Sequence, residues 1–305
     1  MRPTERRNPM TVRPVLKAIF VGVALLNVII VPFPVRSQED DSKAIKAEVF
    51  LKERPVNSSP SKARYRPAVR STQAPALTPP SGMVLAEIGL TMWRYREATG
   101  IDKTKELVEE DESREWVLER IPEGTLLSPG QKVRLSIESL SRTGYLYVIS
   151  REEYADGSFG APRLLFPTQK SVDRIKVEPG RLTYIPSATG RFRIKPSESA
   201  KPHVGESLTI IVSQKPLIDA SQLKPQAITL QPDQMNQWLN QWKPNTAKFE
   251  MVGGAGKTMT AAEQTASKID SPLMSQGDPV PQTIYQLMVK PDDPLLIVLP
   301  LRFAR

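Results

Sequence analysis

Between residues 119 and 168 hydrophobic and polar positions alternate with a period of two. Val133, Leu135 and Ile137 interleave with Lys132, Arg134, Ser136 and Glu138, the pattern of a strand with one face in a core and one face in water. Arg142-Thr143-Gly144 reads as a turn, with glycine where the backbone needs freedom. Residues 145–149 (Tyr-Leu-Tyr-Val-Ile) are apolar on both faces and predict a central strand covered on both sides. Asp156-Gly157 is a hairpin signal. Leu164, Leu165 and Phe166 begin the return, and Pro167 stops it.

The same reading extends in both directions. The domain opens at Met83, and Ile88, Leu90 and Met92 alternate with Gly89, Thr91 and Trp93, giving a first strand to about Arg96. Residues 100–114 are polar and include Glu109-Glu110-Asp111-Glu112. They lack the alternating acidic spacing and central glycine of a calcium loop, and read as a solvated loop or short exposed helix. Residues 116–121, 181–185, 191–194 and 207–213 read as further short strands. Short strands at close spacing predict a mainly all-β domain, an antiparallel β-sandwich of immunoglobulin-like or jelly-roll outline.

One helix interrupts the strands, at residues 231–242. Pro232 suits its first turn. Met235, Trp238, Leu239 and Trp242 fall at i, i+3, i+4 and i+7 as a single apolar stripe. The stripe is either a core face packed on the sheet or a platform for a partner. Residues 245–279 are poor in apolar side chains and rich in Gly, Ser, Thr and Lys, which predicts a disordered insertion. Residues 283–290 and 295–303, joined by Pro291-Asp292-Asp293-Pro294, read as a C-terminal hairpin.

Three motifs also carry a family resemblance. Pro122-Glu123-Gly124-Thr125, the run Gly-Gln-Lys-Val-Arg-Leu-Ser-Ile-Glu at 130–138 and Gly144-Tyr145-Leu146-Tyr147-Val148-Ile149 resemble the bacterial domain of unknown function family DUF 4384. The resemblance spans residues 85–216. It implies a domain of extracytoplasmic or surface-associated bacterial proteins and brings no catalytic residues with it.

The N-terminus changes where such a domain is expected to work. Arg2, Arg6, Arg7, Arg13 and Lys17 precede an apolar run over 18–31, and residues 35–37 offer a cleavage point. Residues 1–37 therefore read as a signal peptide, leading to the periplasm, the cell surface or secretion. An uncleaved inner-membrane anchor is the alternative, although the run is short of the ~20 apolar residues a span needs. Residues 38–82 are rich in Pro, Ser, Lys and Arg and read as a disordered linker. The sandwich domain then occupies 83–305.

Composition excludes several functions. The chain has no cysteine, which removes disulfides, thiol catalysis, thiolate metal sites and a lipobox anchor. Its formal charge is +9. The signal segment holds +5 of that, leaving +4 for the rest, and no nucleic-acid partner is expected. Residues 252–258 (Val-Gly-Gly-Ala-Gly-Lys-Thr) approach a phosphate loop, but Met251 stands where the first glycine belongs. The strand and helix that would frame it are missing as well. His203 is the only histidine, too few for a histidine metal cluster. No cofactor is expected.

What remains is the hairpin around Asp156-Gly157. Arg151, Glu152, Glu153 and Asp156 bring charge to it, and Tyr154 and Phe159 bring aromatic surface, the mixture that interface hot spots favour. Carboxylates at a hairpin tip are expected to be solvated. The expected activity is non-enzymatic binding of a protein, peptide or glycan of the cell envelope. Membrane contact is expected only through the N-terminal segment, if it is uncleaved. A carboxylate-based hydrolase and a structural spacer domain are the alternatives.

Overall fold

The computed structural model describes residues 50–54, 79–102, 108–111, 114–242, 245–251, 254–269 and 271–304. The predicted signal segment (1–37) and the linker stretches 38–49 and 55–78 lie outside the described residues.

Strands dominate from residue 84 onward. They are β1 (Val84–Glu97), β2 (Val108–Asp111), β3 (Arg114–Ile121), β4 (Leu126–Leu127), β5 (Lys132–Ser139), β6 (Gly144–Tyr154) and β7 (Arg163–Phe166). Then come β8 (Lys176–Val177), β9 (Arg181–Ile185), β10 (Phe192–Arg193), β11 (His203–Ser213) and β12 (Ile228–Thr229). Helix α1 (Pro232–Gln241), β13 (Asn245–Glu250), helix α2 (Ala261–Ser267), β14 (Thr283–Val289) and β15 (Leu295–Phe303) complete the order.

These strands form two sheets that make an all-β sandwich. The first runs β10-β5-β1-β14-β13, with β9 also on β5, β3 on β1 and β2 on β3. The second runs β12-β7-β6-β11-β15-β4, with β8 on β6. Pairing is antiparallel except where β4 runs parallel to β15. The chain crosses from β5 to β6, turns back along β7, returns to β9 beside β5, and crosses again to β11 beside β6. That order is the immunoglobulin-like alternative rather than the jelly roll.

Strand β1 is long enough to change partners along one edge. Val84–Leu90 pair with β14 and Met92–Glu97 pair with β3. At the handover Thr91 Oγ1 accepts the Gln282 backbone N–H at 3.0 Å.

Period-two alternation builds the core. Ile88, Leu90 and Met92 of β1, Val133, Leu135 and Ile137 of β5, and Leu287 of β14 meet Leu146, Val148, Leu208, Ile210, Ile297 and Leu299 of the second sheet. On the outer face of the second sheet, Tyr147, Ile149, Ile211 and Leu296 form a further apolar layer. Helix α1 covers it with the predicted stripe. Met235 and Trp238 are buried there and Leu239 and Trp242 half-buried, with the two indole rings stacked at 5.8 Å. The stripe is a core face.

The structure corrects four expectations. First, the polar side of β5 is not wet: Arg134 is 2 % exposed and Glu138 0 % exposed. Period two reports two different faces, and which of them meets water depends on what chain covers them. Second, the described residues of 245–279 help supply that cover, where a disordered insertion was expected. β13 pairs with β14, Thr258 bridges to Glu119, and α2 is closed by a capping box between Thr260 and Glu263. Third, β14 and β15 are not a hairpin. β14 pairs with β1 and β13 while β15 pairs with β11, so their connection carries the chain from one sheet to the other. Fourth, the acidic run at 109–111 belongs to β2, paired with β3, instead of a loop.

Candidate functional site

The predicted hairpin residues separate onto different faces because strand side chains alternate. Leu146 and Val148 of β6 point into the core, so Glu152 and Tyr154 continue the inner face. Arg151 and Glu153 fall on the outer face. There Arg151 reaches Asn236 Oδ1 of α1 at 3.3 Å and lies 4.6 Å from the Phe159 ring centroid. Glu153 pairs with Arg302 at 2.9 Å. Asp156 lies at the exposed tip, paired with Lys201 at 2.9 Å. Hydrogen bonds from the Ser158 hydroxyl and Lys201 hold its carboxyl well below the usual range. Phe159 is 46 % exposed. The six residues do not converge on one site.

Glu152 is the one that the tip reading misplaces. It faces a cleft of about 730 Å³ between the sheets, at the end where β10 and β12 flank them, within the size range of ligand sites. The walls are core side chains, Met92, Val133, Leu135, Leu165 and Leu208. On the floor, Glu152 of β6 stands directly opposite Glu206 of β11 in the ladder. Like charges in that position destabilise a sheet.

Local hydrogen bonds offset the repulsion. The Tyr154 hydroxyl donates to Glu152 Oε2 at 2.6 Å and the Ser197 hydroxyl donates to the same oxygen at 2.8 Å. The Ser150 hydroxyl donates to Glu206 Oε2. Burial alone would raise the Glu152 carboxyl, but these hydroxyl bonds, with the nearby His203 and Arg163, hold it below its ordinary value. Both glutamates are half-buried, whereas Arg163, Arg193, Lys195 and Glu198 are exposed on the rim. The floor is acidic and the rim mainly basic.

A carboxyl held low stays ionised, ready to accept hydrogen bonds from a cation. The arrangement suits a ligand that places an ammonium or guanidinium on the floor and carboxylate or carbonyl oxygens near the rim.

Sequence reasoning missed Glu206, Ser150 and the basic rim. The available signal was parity: Glu152 continues Leu146 and Val148, and Glu206 precedes Leu208 and Ile210 by the same step of two. The glycine-rich segment at 252–258 is not a phosphate loop. Gly256 donates to the Arg120 carbonyl at 2.9 Å and Arg120 donates to the Lys257 carbonyl at 2.8 Å, so the segment lies along β3; Val252 and Gly253 lie outside the described residues. His203 packs edge-on against Phe303 at 4.9 Å, a packing role. A shallower groove of about 400 Å³ runs past Leu239, Tyr285 and Val298.

No protein-family model, curated protein or solved structure matches the chain. Among the described residues, no helix is long and apolar enough to cross a membrane.

Proposed function

We propose that this protein is a non-enzymatic binding module of the bacterial cell envelope that captures a peptide segment bearing a basic group in the cleft between its sheets. The observation that carries the reading is the cleft itself, about 730 Å³ with Glu152 and Glu206 on its floor and Arg163, Arg193 and Lys195 at its rim. A peptide offers a cationic side chain to the floor, apolar atoms to the walls and carbonyl oxygens to the rim. Export through residues 1–37 and membership of the DUF 4384 group belong to the same proposal. They rest on the order of basic, apolar and polar residues and on the three motifs at 122–149.

The test is a peptide array probed with the purified chain, alongside a glycan array. Retention of Lys- or Arg-bearing peptides, lost in the Glu152→Gln, Glu206→Gln double variant while its unfolding remains cooperative, is the expected result. Glycan binding that ignores the double substitution, or no peptide retention at all, overturns the peptide reading.

A carboxylate hydrolase has one observation in its favour, the paired glutamates in a cleft. Turnover of chromogenic glycosides by the native chain, abolished by either single Glu→Gln change, would replace the binding reading.

A further inference from the structure

Residues 50–54, read from sequence as part of a solvated linker, dock into the outer face of the first sheet as a helical end (50–52) and the turn that follows it, with two prongs. Phe50 is 0 % exposed and packs among Leu140, Met251, Val280 and Ile284. It reaches over Gly89, where any Cβ would stand 2.7 Å from the Phe50 ring. Arg54 is 2 % exposed. Its Nε and Nη2 donate to the two Glu138 oxygens at 2.8 and 2.6 Å. Its remaining donors reach the carbonyls of Ser275, Asp278 and Pro279 at 3.0–3.3 Å. Gln276 Nε2 answers by donating to the Arg54 carbonyl at 3.1 Å.

The seat is selective for this chemistry. Glu138 is 0 % exposed, and the salt bridge found for it is to Arg54. A buried carboxylate left without its counter-charge is a strongly unfavourable state. The fork of five N–H donors on arginine is filled by one bidentate carboxylate and three carbonyls, a set an ammonium cannot reproduce. An aromatic ring four residues before the arginine completes the fit.

The seat and the turn are nevertheless separate pieces of chain. The seat is built from β1, β5 and residues 249–284, and residues 55–78 connect the turn to the sandwich. That connection reaches up to ~80 Å when extended, several times the ~17 Å radius of gyration of a domain this size. An emptied seat needs a matching turn. The chain's own turn is favoured by its effective concentration, and the identical turn of a neighbour fits equally well.

We propose that this seat is an exchange site between copies: when chains are crowded, the 50–54 turn of one fills the seat of a second, and reciprocally. Each Arg54 then completes the Glu138 of the other chain. Such a dimer creates no new chemistry, which is why exchange of an existing element is a low-cost route to association once the seat has opened. The inference is independent of the cleft and its ligand.

Complementation tests it. A chain with Phe50→Ala and Arg54→Ala keeps its seat and loses its turn, while a chain with Glu138→Gln keeps its turn and weakens its seat. Native mass spectrometry of the equimolar mixture should show a 1:1 heterodimer at least tenfold more abundant than either homodimer. A monomeric mixture of two folded variants overturns the proposal. If the turn-deficient chain is insoluble alone, co-expression with the Glu138→Gln chain should recover it, and no recovery overturns the proposal.

The chain with its own turn and seat intact gives a separate reading. It has no cysteine, so Ser199→Cys takes a single dye. Energy transfer between donor- and acceptor-labelled chains should rise with concentration. Excess synthetic peptide of residues 46–58 should suppress it. Absence of transfer up to the solubility limit counts against exchange.

Discussion

The two outer faces of the sandwich are both covered, by opposite means. On the second sheet, helix α1 lays Met235 and Trp238 over Tyr147, Ile149 and Ile211, an apolar contact throughout. On the first, apolar patches around Phe50 and Trp93 are interleaved with buried charge: Arg134 lies 4.9 Å from the Tyr184 ring centroid, Trp93 donates to Ser136 at 3.0 Å, Arg120 pairs with Glu263 and Arg54 with Glu138. Its cover comes from the start and the last quarter of the chain. An apolar cover accepts any side chain of the right volume. A charged one accepts only its complement, and burying it is weak evidence of added stability but strong evidence of specificity in what docks there. The difference teaches that the first sheet is built to select its cover and the second merely to have one.

The largest break in this contrast should come from Glu138→Ala. It leaves the Arg54 guanidinium buried without a carboxylate, and urea unfolding should show a loss of about 3–5 kcal/mol. Replacing both partners, Arg54→Met with Glu138→Leu, should restore most of that loss. A single-variant loss below about 1 kcal/mol would erase the distinction between the faces.

On the second sheet, Trp238→Ala should cost about 3 kcal/mol, yet Met235→Leu should cost under about 1.5 kcal/mol. Arg54→Lys, equally conservative on paper, should cost more than Met235→Leu because the ammonium cannot span the carboxylate and three carbonyls. Chemical denaturation of the two conservative variants side by side measures the selectivity directly; equal losses would refute it.

A smaller effect sharpens the contrast at the hairpin that ends the second sheet. Tyr154, 9 % exposed and bonded to Glu152, should lose about 2 kcal/mol or more on change to Ala. Exposed Phe159 should lose under about 1 kcal/mol. A larger loss at Phe159 than at Tyr154 would reverse their assigned roles.

The smallest expected effect is in acid. The Glu152 carboxyl sits below its ordinary 4.5 in the folded chain. Its contribution to stability is therefore fully present above that value and fades as pH falls through the lower, folded-state value. Glu152→Gln should flatten this part of the acid limb in a pH series of melting temperatures. An unchanged acid limb would show that the carboxyl is not held by Tyr154 and Ser197 in solution.

These faces also show what was legible in the sequence. The stripe Met235, Trp238, Leu239 and Trp242 could be read because helical spacing and apolarity are local properties, and they suffice to place a helix on a sheet. Lys132, Arg134, Ser136 and Glu138 gave the right strand and the wrong environment. Nothing near Glu138 reports a partner 84 residues away, and an alternating polar face is ordinarily wet. Residues 245–279 were misread for the same reason: their few apolar side chains, Phe249, Met251, Met259 and Met274 among them, suffice because buried ion pairs supply the rest of the contact. At the cleft, Glu152 was singled out for its neighbours at the hairpin tip, while counting by twos from Val148 would have sent it inward.

Arg54 and the carbonyls that receive it are 221 to 225 residues apart. A ribosome adding ~5–20 residues per second needs roughly ten to forty seconds to deliver the second after the first. Through that interval the earliest turn of the domain has no seat, and β1 waits as long for β14. Such distant pairing slows folding. The chain thus keeps itself unfinished until nearly all of it has been made.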